Sequence, residues 1–525
     1  MSELLRAVLN TLLREDFAGI RSHGSVVAGR LRIAEATEIP VRPDGFLCDL
    51  AVAEPVVCHD GRRLDDLTSV LALLRRRVDP VDLPGFDEFT RECHAAEVAE
   101  RTQRTAAPSR PDGRPWTGMT ATLRYDGLAA LAGHPVYPTG NARVGISPAD
   151  QLRYAPEYQA TFAPNWTAVP ADRVHGVGEL PAWWPTAPDH VLFPVHPLTG
   201  TGTPGDIPVL PTLSMRTVAV VTDPHTHLKL PLPTSSLGAR NRRTIKPGTL
   251  VDGAVTERLL AAIVRREPAF AGRIVLADEQ TYRHADDELL AFLVRRYPAD
   301  LATAEVVPLA ALMVPAVLDD LADREHHGDR LAFLAACLGP LLDFQTTLLL
   351  RYGVALESHQ QNVSLVLGAD GVRLLFKDND GVRLRADRLL AAFDGDVPRD
   401  ADPALLADRR ILVPDTEPLI DLFTTITLHL CAAAIVFALP HPERRGGLAL
   451  IRELLAAAID RNTPSDDANR LRAATLDADR LPIKAMVTAG TLLTKERSGA
   501  SDINKFYLRD GPNYLSARPF TNGST

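Results

Sequence analysis

The stretch that decides the fold is residues 356 to 384, LESHQQNVSLVLGADGVRLLFKDNDGVRL. The runs NVSLVL and VRLLFK are rich in β-branched and aromatic residues, and Asp370-Gly371 lies between them, which predicts a β-hairpin. A loop over residues 368 to 371 then sets the opposed pairs, which are Leu367 with Val372, Asn362 with Lys377, and Gln361 with Asp378.

The open end of this hairpin gathers polar side chains. Opposed residues have β-carbons about 5 Å apart, so Gln361, Asn362, Lys377 and Asp378 should converge, with Glu357 and His359 arriving from just before them. An Asn and an Asp placed this way can share a hard cation such as Mg²⁺ and leave positions for phosphate oxygens. The alternative is a solvated hairpin, since Asn and Asp are ordinary turn residues.

A second candidate site is the basic run from residue 214 to 248, SMRTVAVVTDPHTHLKLPLPTSSLGARNRRTIKPG. If its two β-like runs pair, they place hydroxyl and cationic side chains on adjacent strands and the following turn. Arg binds phosphate at two points and Lys acts as a point charge, which suits a polyphosphate. The alternative is a solvated basic face. The residues concerned are Ser214, Arg216, Lys229, Ser236, Arg240, Arg242 and Arg243.

The composition is that of a globular protein with two or three domains, since the 525 residues are 46% hydrophobic and 23% charged. A net charge of -9 argues against nucleic acid as a partner. The five cysteines have no CxxC spacing, so neither a disulfide framework nor a zinc or iron–sulfur site is indicated, and a reducing cytoplasm is expected.

The hydrophobic pattern organises the chain into a mixed N-terminal part, a sheet-rich part from about 116 to 255, a helical part from about 256 to 350, and the hairpin followed by helices. MSELLRAVLNTLLREDF predicts an amphipathic helix and not a signal peptide. The apolar run LCAAAIVFAL from Leu430 is too short to span a bilayer, so no membrane association is expected.

Two weaker motifs are set aside. Gly200, Gly202 and Gly205 match GxGxxG, but an extended run follows instead of a helix, so we interpret them as a loop. The pairs His225 with His227 and His326 with His327 lack zinc-site spacing and are expected to be surface histidines.

With these residues in view, the chain resembles the IucA/IucC family of siderophore synthetases that work without a nonribosomal peptide synthetase. The resemblance rests on ordered motifs from Gly133 to Asn513: GHPVYPTGNARVGIS, YAPEY, FPVHP, SMRT, HLKL, ESHQQN, KDNDG and LPIKA. Departures from the family pattern include Tyr137, Asn141 and Lys377, and they bear mainly on substrate identity.

The resemblance implies an α/β fold shaped like a cupped hand, with a palm distantly like a protein kinase. The implied regions are a thumb over 1–115, fingers over 116–315 and a palm over 316–525. It also implies a homodimer and an ATP- and Mg²⁺-dependent ligase that adenylates a carboxylate, releases pyrophosphate, and joins the acyl group to an amine or hydroxyl.

Roles for single residues are likewise implied by the resemblance. Ser214, Arg216, Lys229 and Arg240 match phosphate-contacting positions, although Arg242 or Arg243 could replace Arg240. His359 and Gln361 match nucleotide contacts, and Glu357, Asn362 and Asp378 match the Mg²⁺ end of the site. His134 is expected to reach the phosphates or the carboxylate.

Two other functions stay open at this level. A kinase also uses an Asn and an Asp to share Mg²⁺, although an HRD-type Asp before the Asn is missing here. A non-catalytic siderophore binder or a ferric reductase is the other, because the C-terminal half resembles reductase-like proteins. Such reductases hold an iron–sulfur cluster with C-terminal cysteines, whereas the last cysteine here is Cys431.

Overall fold

The computed structural model of the protein describes residues 3–34, 36–106, 108–369, 371–500, 502 and 505–516. The N-terminal region is built on the predicted amphipathic helix, whose leucines and Val8 are buried against a small antiparallel sheet of order β1-β2-β3-β5-β6, with β4 paired to β3. Burying each such side chain contributes about 1.5–3 kcal/mol. The elements are α1 (Glu3–Arg14), β1 (Ser25–Val27), β2 (Arg30–Ala34), β3 (Thr37–Pro43), β4 (Leu50–Val52), β5 (Val57–His59), β6 (Arg62–Leu64), α2 (Leu67–Arg75) and α3 (Leu83–Gln103).

The middle region carries two sheets, of order β10-β7-β9 and β11-β12-β13-β16-β15-β8. The second sheet contains the pairing expected for the basic run, because Thr217 on β12 lies opposite Lys229 on β13. The elements are α4 (Met119–Ala132), α5 (Pro148–Tyr154), β7 (Asn165–Pro170), β8 (His175–Val177), β9 (His190–Val195), β10 (Thr203–Pro204), β11 (Val209–Pro211), β12 (Thr217–Val220), β13 (Asp223–Lys229), α6 (Pro247–Arg266), β14 (Ile274–Leu276), β15 (Asp278–Asp287), β16 (Leu290–Arg296) and β17 (Glu305–Pro308).

The C-terminal region is mainly helical, as predicted, and surrounds the hairpin. Its elements are α7 (Pro315–His326), α8 (Arg330–Tyr352), β18 (Val354–Ala355), β19 (Val363–Gly368), β20 (Gly371–Phe376), β21 (Arg383–Leu384), α9 (Ala386–Ala392), α10 (Glu417–Leu422), α11 (Ala434–Ala438), α12 (His441–Asp460), α13 (Asp466–Arg472), β22 (Arg480–Lys484), α14 (Lys495–Ser498) and β23 (Tyr507–Pro512).

The hairpin joins the middle and C-terminal regions in one sheet of order β14-β20-β19-β17. Strand β14 runs parallel to β20, with Ile274 opposite Leu374 and Leu276 opposite Phe376. Strands β14 and β20 therefore end on the same side of the sheet. The start of β15 consequently lies beside the residues that follow β20. This shared edge positions the candidate site.

The hairpin register agrees with the prediction within the strands. Leu367 lies opposite Val372, and the ladder runs from the pair Gly368 and Gly371 to the pair Val363 and Phe376. Gly371 has φ +86, a left-handed conformation that suits a turn glycine, while Asp370 lies outside the described residues.

Three expectations about this architecture are wrong. Residues 274 to 308 carry strands β14 to β17 and not long helices, since β15 pairs with β16 while β14 and β17 pair with the hairpin strands β20 and β19. His227 is buried and not on the surface, since it packs edge-on against Tyr297 with ring centroids 4.7 Å apart. The run from Leu430 belongs to a longer helix, Glu417–Ala438, in which the π-helical segment Phe423–Ala433 joins α10 to α11.

Within the described part of the chain, two helices are long and apolar enough to span a membrane by length and composition, Arg330–Tyr352 and Glu417–Ala438. Both contribute to the largest hydrophobic core of the protein. The apolar window of Glu417–Ala438 is wholly buried and that of Arg330–Tyr352 is 72% buried, as in core helices. The glycine-rich segment begins no helix, as predicted, since left-handed Gly200 is followed by the short strand β10.

Candidate functional site

The open end of the hairpin is extended by one backbone bond, from Lys377 N to Asn362 O at 3.1 Å. The predicted pairing of Asn362 with Lys377 is therefore confirmed. The next predicted pair, Gln361 with Asp378, is wrong, because Asp378 turns out of the ladder with φ +63 and its backbone N–H donates to Glu279 Oε1 at 2.8 Å. Tertiary contacts thus override the hairpin geometry at the position of greatest interest.

Asp378 meets the basic sheet directly. The Lys229 ammonium contacts the carboxylates of both Asp378 and Asp380, the latter at 3.3 Å. Arg295 Nη2 reaches Asp378 Oδ1 at 3.3 Å. Burial would raise the pKa of Asp378, but Lys229, Arg295 and Arg216 outweigh it and hold that pKa well below its usual range. The Asp378 carboxylate is therefore ionised, and it shares the Lys229 ammonium with the Asp380 carboxylate.

The two arginines flanking this sheet have different surroundings. Arg216 uses Nη1 to donate to the carbonyls of Arg243 and Thr244, at 3.4 and 3.0 Å. No carboxylate in the described part of the chain lies within ion-pair distance of Arg243, and burial together with the neighbouring Arg216 lowers its pKa. Arg243 is thus a partly buried cation whose charge an anion would stabilise.

A cleft of about 140 Å³ lies between the middle region and the ESHQQN segment of the C-terminal region. Its wall includes Arg243, Ser214, Ser236, Gln361 and His134. Apolar side chains complete it, among them Leu213, Met215, Leu232 and Ala310. The cleft therefore combines an apolar surface with hydroxyl, amide and guanidinium donors, the usual mixture in a small-molecule site.

Two neutral histidines lie at the site: His134 lines the cleft, and His359 lies near the carboxylates of Glu357 and Asp378. His134 Nδ1 accepts from the backbone N–H of Tyr137 at 2.9 Å, and burial with nearby His359 and Lys484 lowers its pKa to about 3. His359 Nδ1 accepts from Gln361 N at 3.3 Å, and burial lowers its pKa to about 4. With Nδ1 used as an acceptor, each neutral ring carries its proton on Nε2 and offers a donor there.

Glu357 has different partners from those of Asp378. Its carboxylate pairs with Lys484 at 2.8 Å and Lys505 at 3.8 Å. Burial would raise the pKa of Glu357, but the two lysines lower it to about 2. Glu357 is thus an ionised carboxylate that holds the lysine of the LPIKA motif against the ESHQQN segment.

The donor set suits a hard cation without forming a preformed metal centre. Across the described residues no group of three or more His, Cys, Asp and Glu side chains is arranged to hold a metal. Asp378 and Asp380 nevertheless already hold one cationic group between them, and Asn362 is bonded to Lys377, the residue before Asp378. Both amide atoms of buried Asn379 lack a hydrogen-bond partner among the described residues. Carboxylate and amide oxygens are the donors that Mg²⁺ prefers.

The structure brings most predicted residues together and separates a few. Ser214, Ser236, Gln361 and His134 line the cleft, while Lys229, Asn362, His359 and Asp378 gather at the hairpin end. Arg240 donates to Ala489 O at 3.0 Å on the C-terminal segment, and Arg242 is exposed. Arg243 is the arginine of this run that lines the cleft.

Four neighbours of the site were not predicted: Asp380, Glu279, Arg295 and Lys505. Asp380 belongs to the quoted KDNDG stretch, so its nearness to Asp378 was a usable signal. The others reach the site from β15, β16 and the C-terminal segment by tertiary contact, and no local pattern marks them.

Sequence comparison finds two family models that match this chain. Residues 121–201 and 196–314 match the sequence model described as the IucA / IucC family, and residues 331–499 match that of the FhuF-like ferric iron reductase transporter. A Staphylococcus aureus 2-[(L-alanin-3-ylcarbamoyl)methyl]-3-(2-aminoethylcarbamoyl)-2-hydroxypropanoate synthase is 22% identical over 65% of this chain. Staphyloferrin B synthase of the same organism is 24% identical over 49%.

Solved structures show the same fold over nearly the whole chain. The petrobactin biosynthesis protein AsbB of Bacillus anthracis superposes with a TM-score of 0.77 at 16% identity, covering 98% of this chain and 95% of its own. ATP-bound aerobactin synthetase IucA of Klebsiella pneumoniae gives 0.72 at 16% identity, covering 99% and 100%.

The protein therefore has the mixed α/β fold of the aerobactin and petrobactin biosynthetic proteins, as expected. Its residues 121–314 match the IucA/IucC family, as the resemblance implied. The chain spans 65% or less of the length of the curated relatives that it matches.

Proposed function

We propose that the protein is an ATP-dependent ligase of siderophore biosynthesis that adenylates a carboxylate, citrate or a related dicarboxylic acid, and joins it to an amine or hydroxyl. The observation that carries this is the cleft in which Arg243, unpaired with any described carboxylate, lies with Ser214, Ser236 and His134. Such a wall suits an anionic substrate. The names of the relatives, synthetases of siderophores, and the ATP-bound neighbour support the same conclusion.

In the proposed reaction a carboxylate oxygen attacks the α-phosphorus of ATP. The bond from that phosphorus to the oxygen that bridges the α- and β-phosphates breaks, so pyrophosphate leaves. The amine or hydroxyl then attacks the acyl carbon, AMP departs, and the nucleophile loses a proton. Guanidinium and hydroxyl donors held in place before the reaction stabilise charge that develops on the phosphates. Arg243, Ser214 and Ser236 would serve in this way.

The two histidines and the Lys484–Glu357 pair would hold the carboxylate of the acid substrate. A neutral His134 or His359 can donate its Nε2–H to a carboxylate or phosphate oxygen across the working pH range, because its pKa lies well below neutrality. Lys484, held by Glu357 at 2.8 Å, is a fixed cation close to both rings. These groups would orient the acid for attack and not exchange protons with it.

Asp378, Asp380 and Asn362 would hold Mg²⁺, as the fit of their oxygen donors supports. When bound there, the cation would supply positive charge to the phosphate oxygens. Lys229 would then be released from the two carboxylates toward the polyphosphate.

A reductase function is less well supported by the residues of this chain. The FhuF-like match over 331–499 includes Cys337 and Cys431, both buried, and Cys431 Sγ contacts Ser358 O at 3.1 Å. An iron–sulfur cluster of the usual kind takes four cysteine ligands.

The test is nucleotide product analysis with carboxylic acids crossed against polyamines and amino alcohols. Adenylation predicts AMP and pyrophosphate, carboxylate-dependent ATP–pyrophosphate exchange, and a hydroxamate of the true acid when hydroxylamine is the nucleophile. Formation of ADP with a phosphorylated acceptor would instead establish a kinase.

A further inference from the structure

We propose that Glu279 is a positioning residue, which acts through Arg295 and the Asp378 backbone to hold the Asp378 carboxylate at the polyphosphate end of the cleft. This inference rests on the proposed function, because the carboxylate that Glu279 positions is the one assigned there to Mg²⁺. Glu279 lies outside the residues that the family resemblance implied.

The geometry around Glu279 is that of a buried bridge. Its side chain is 2% exposed, and Oε1 accepts from Arg295 Nε at 2.5 Å and from Asp378 N at 2.8 Å. Arg295, 3% exposed, uses its Nη2 to reach Asp378 Oδ1 at 3.3 Å. One carboxylate oxygen therefore fixes the backbone of Asp378, and the arginine held by the same oxygen contacts the Asp378 side chain.

Asp378 needs such a bridge because the hairpin does not hold it. Its φ of +63 is uncommon for a residue other than glycine, although Asp tolerates it better than most. Its N–H lies where the ladder has ended, and a buried amide without a partner is costly. Glu279 supplies that partner from β15, which parallel pairing of β14 with β20 delivers to this edge.

Charge balance gives the bridge a second purpose. Arg295 sits between two carboxylates, and its pKa is raised because Glu279 and Asp378 outweigh the effect of burial. If Glu279 lost its charge, Arg295 would keep Asp378 as its remaining carboxylate partner among the described residues. The guanidinium would then bind Asp378 more tightly and compete with the cation that the carboxylate is meant to receive.

The bridge is itself supported from helix α6. The backbone N–H of Glu279 donates to Glu257 Oε2 at 2.9 Å, and Gln280 Nε2 reaches Ala254 O on the same helix at 3.1 Å. The start of β15 is thus tied on one side to α6 and on the other to the hairpin end. Such an outer contact orients a ligand without touching the metal.

The experiment compares wild type, Glu279→Gln and Glu279→Ala in the full-length protein. The amide oxygen of Gln can still accept from Asp378 N but cannot neutralise Arg295, whereas Ala removes both contacts. Outer-shell changes of this kind typically cost about 10–100-fold in metal affinity or activity. We expect a rise of that order in the Mn²⁺ dissociation constant measured by calorimetry with a non-hydrolysable ATP analogue, larger for Ala than for Gln.

Glu305 offers a matched control. It is also 2% exposed and pairs with an arginine, Arg324 at 2.9 Å, while accepting a backbone N–H from Trp116 at 3.0 Å. None of these partners is a candidate site residue. Glu305→Gln should lower the melting temperature as Glu279→Gln does, yet leave the Mn²⁺ dissociation constant unchanged.

The outcomes separate this inference from the proposed function. If wild type binds no nucleotide in the presence of Mn²⁺, the proposed function fails. If wild type binds it and Glu279→Gln, folded by its melt, binds Mn²⁺ as tightly, the positioning role is refuted. Should Glu279→Gln not fold, Arg295→Lys decides instead, because a lysine cannot reproduce the planar fork that reaches Glu279 through Nε and Asp378 through Nη2. Weakened Mn²⁺ binding supports the role and unchanged binding overturns it.

Discussion

Lys229 occupies the place between two carboxylates where the proposed Mg²⁺ would bind, and Lys229→Met tests that assignment. The lysine is 5% exposed, and the side chains of its partners Asp378 and Asp380 are 27% and 31% exposed. Removing one partner of a fully buried ion pair costs about 3–5 kcal/mol, whereas an exposed pair contributes about 1 kcal/mol at most.

The Lys229 cluster lies between these limits. Arg295 also remains within 3.3 Å of Asp378 to offset part of the loss. We therefore expect the variant to lose about 2–3 kcal/mol of unfolding free energy. Met keeps the length and apolar stem of the lysine, so the loss would reflect charge and not packing.

The informative measurement is the response of that loss to Mg²⁺. A cation that binds only the folded state stabilises it, by about 2.7 kcal/mol at a hundredfold excess over its dissociation constant. Because Lys229→Met frees two carboxylates, Mg²⁺ should restore most of the lost stability in urea titrations, and should stabilise wild type much less. Lys495→Met, at an exposed lysine of α14, is the control. Equal Mg²⁺ responses in the variant and wild type would refute the assignment.

Three further predictions concern single side chains. Asp378→Asn should retain the fold and lower ATP–pyrophosphate exchange by about 100-fold or more; near-normal exchange at saturating Mg²⁺ would return the hairpin end to a solvated role. Arg243→Lys should lower exchange strongly, since one ammonium cannot reproduce the planar fork, whereas Arg242→Lys, at an exposed site, should not; equal effects would count against the cleft assignment. Burial raises the pKa of Glu257 to about 7, above its unfolded value of about 4.5, so the stability that protonated Glu257 contributes is lost as pH rises through 7. Glu257→Gln should therefore raise the melting temperature at pH 8 but not at pH 4, and the reverse order would contradict the burial argument.

The hairpin and the sheet beside it were predictable because their contacts are local. The pair Leu367 and Val372 is separated by a short turn, so alternation and loop length define its register. The same holds for Thr217 and Lys229 across β12 and β13. The apolar pattern of residues 256 to 350 was misinterpreted as helical throughout, both for β14 and β17, whose partners are distant, and for the local hairpin of β15 and β16.

The choice among the three arginines shows the limit of pattern. Arg240, Arg242 and Arg243 stand within four positions and share one residue type, so their spacing cannot rank them. The close approach of Gly238 to Gly490 draws Arg240 toward Ala489 O, leaves Arg242 exposed, and places Arg243 in the cleft. A contact some 250 residues distant in the chain decides which cation faces the substrate.

The sequence alone determined that a hairpin ends in Asn362 and Lys377 and that a basic sheet carries Lys229. It also determined the resemblance to the IucA/IucC family, whose model matches residues 121–314. The tertiary structure decided which charges meet. Glu279 and Asp378 stand 99 positions apart, and Glu357 and Lys484 stand 127 apart. Buried ion pairs depend on which strands and segments share an edge, a property of the packed molecule that short-range periodicity does not record.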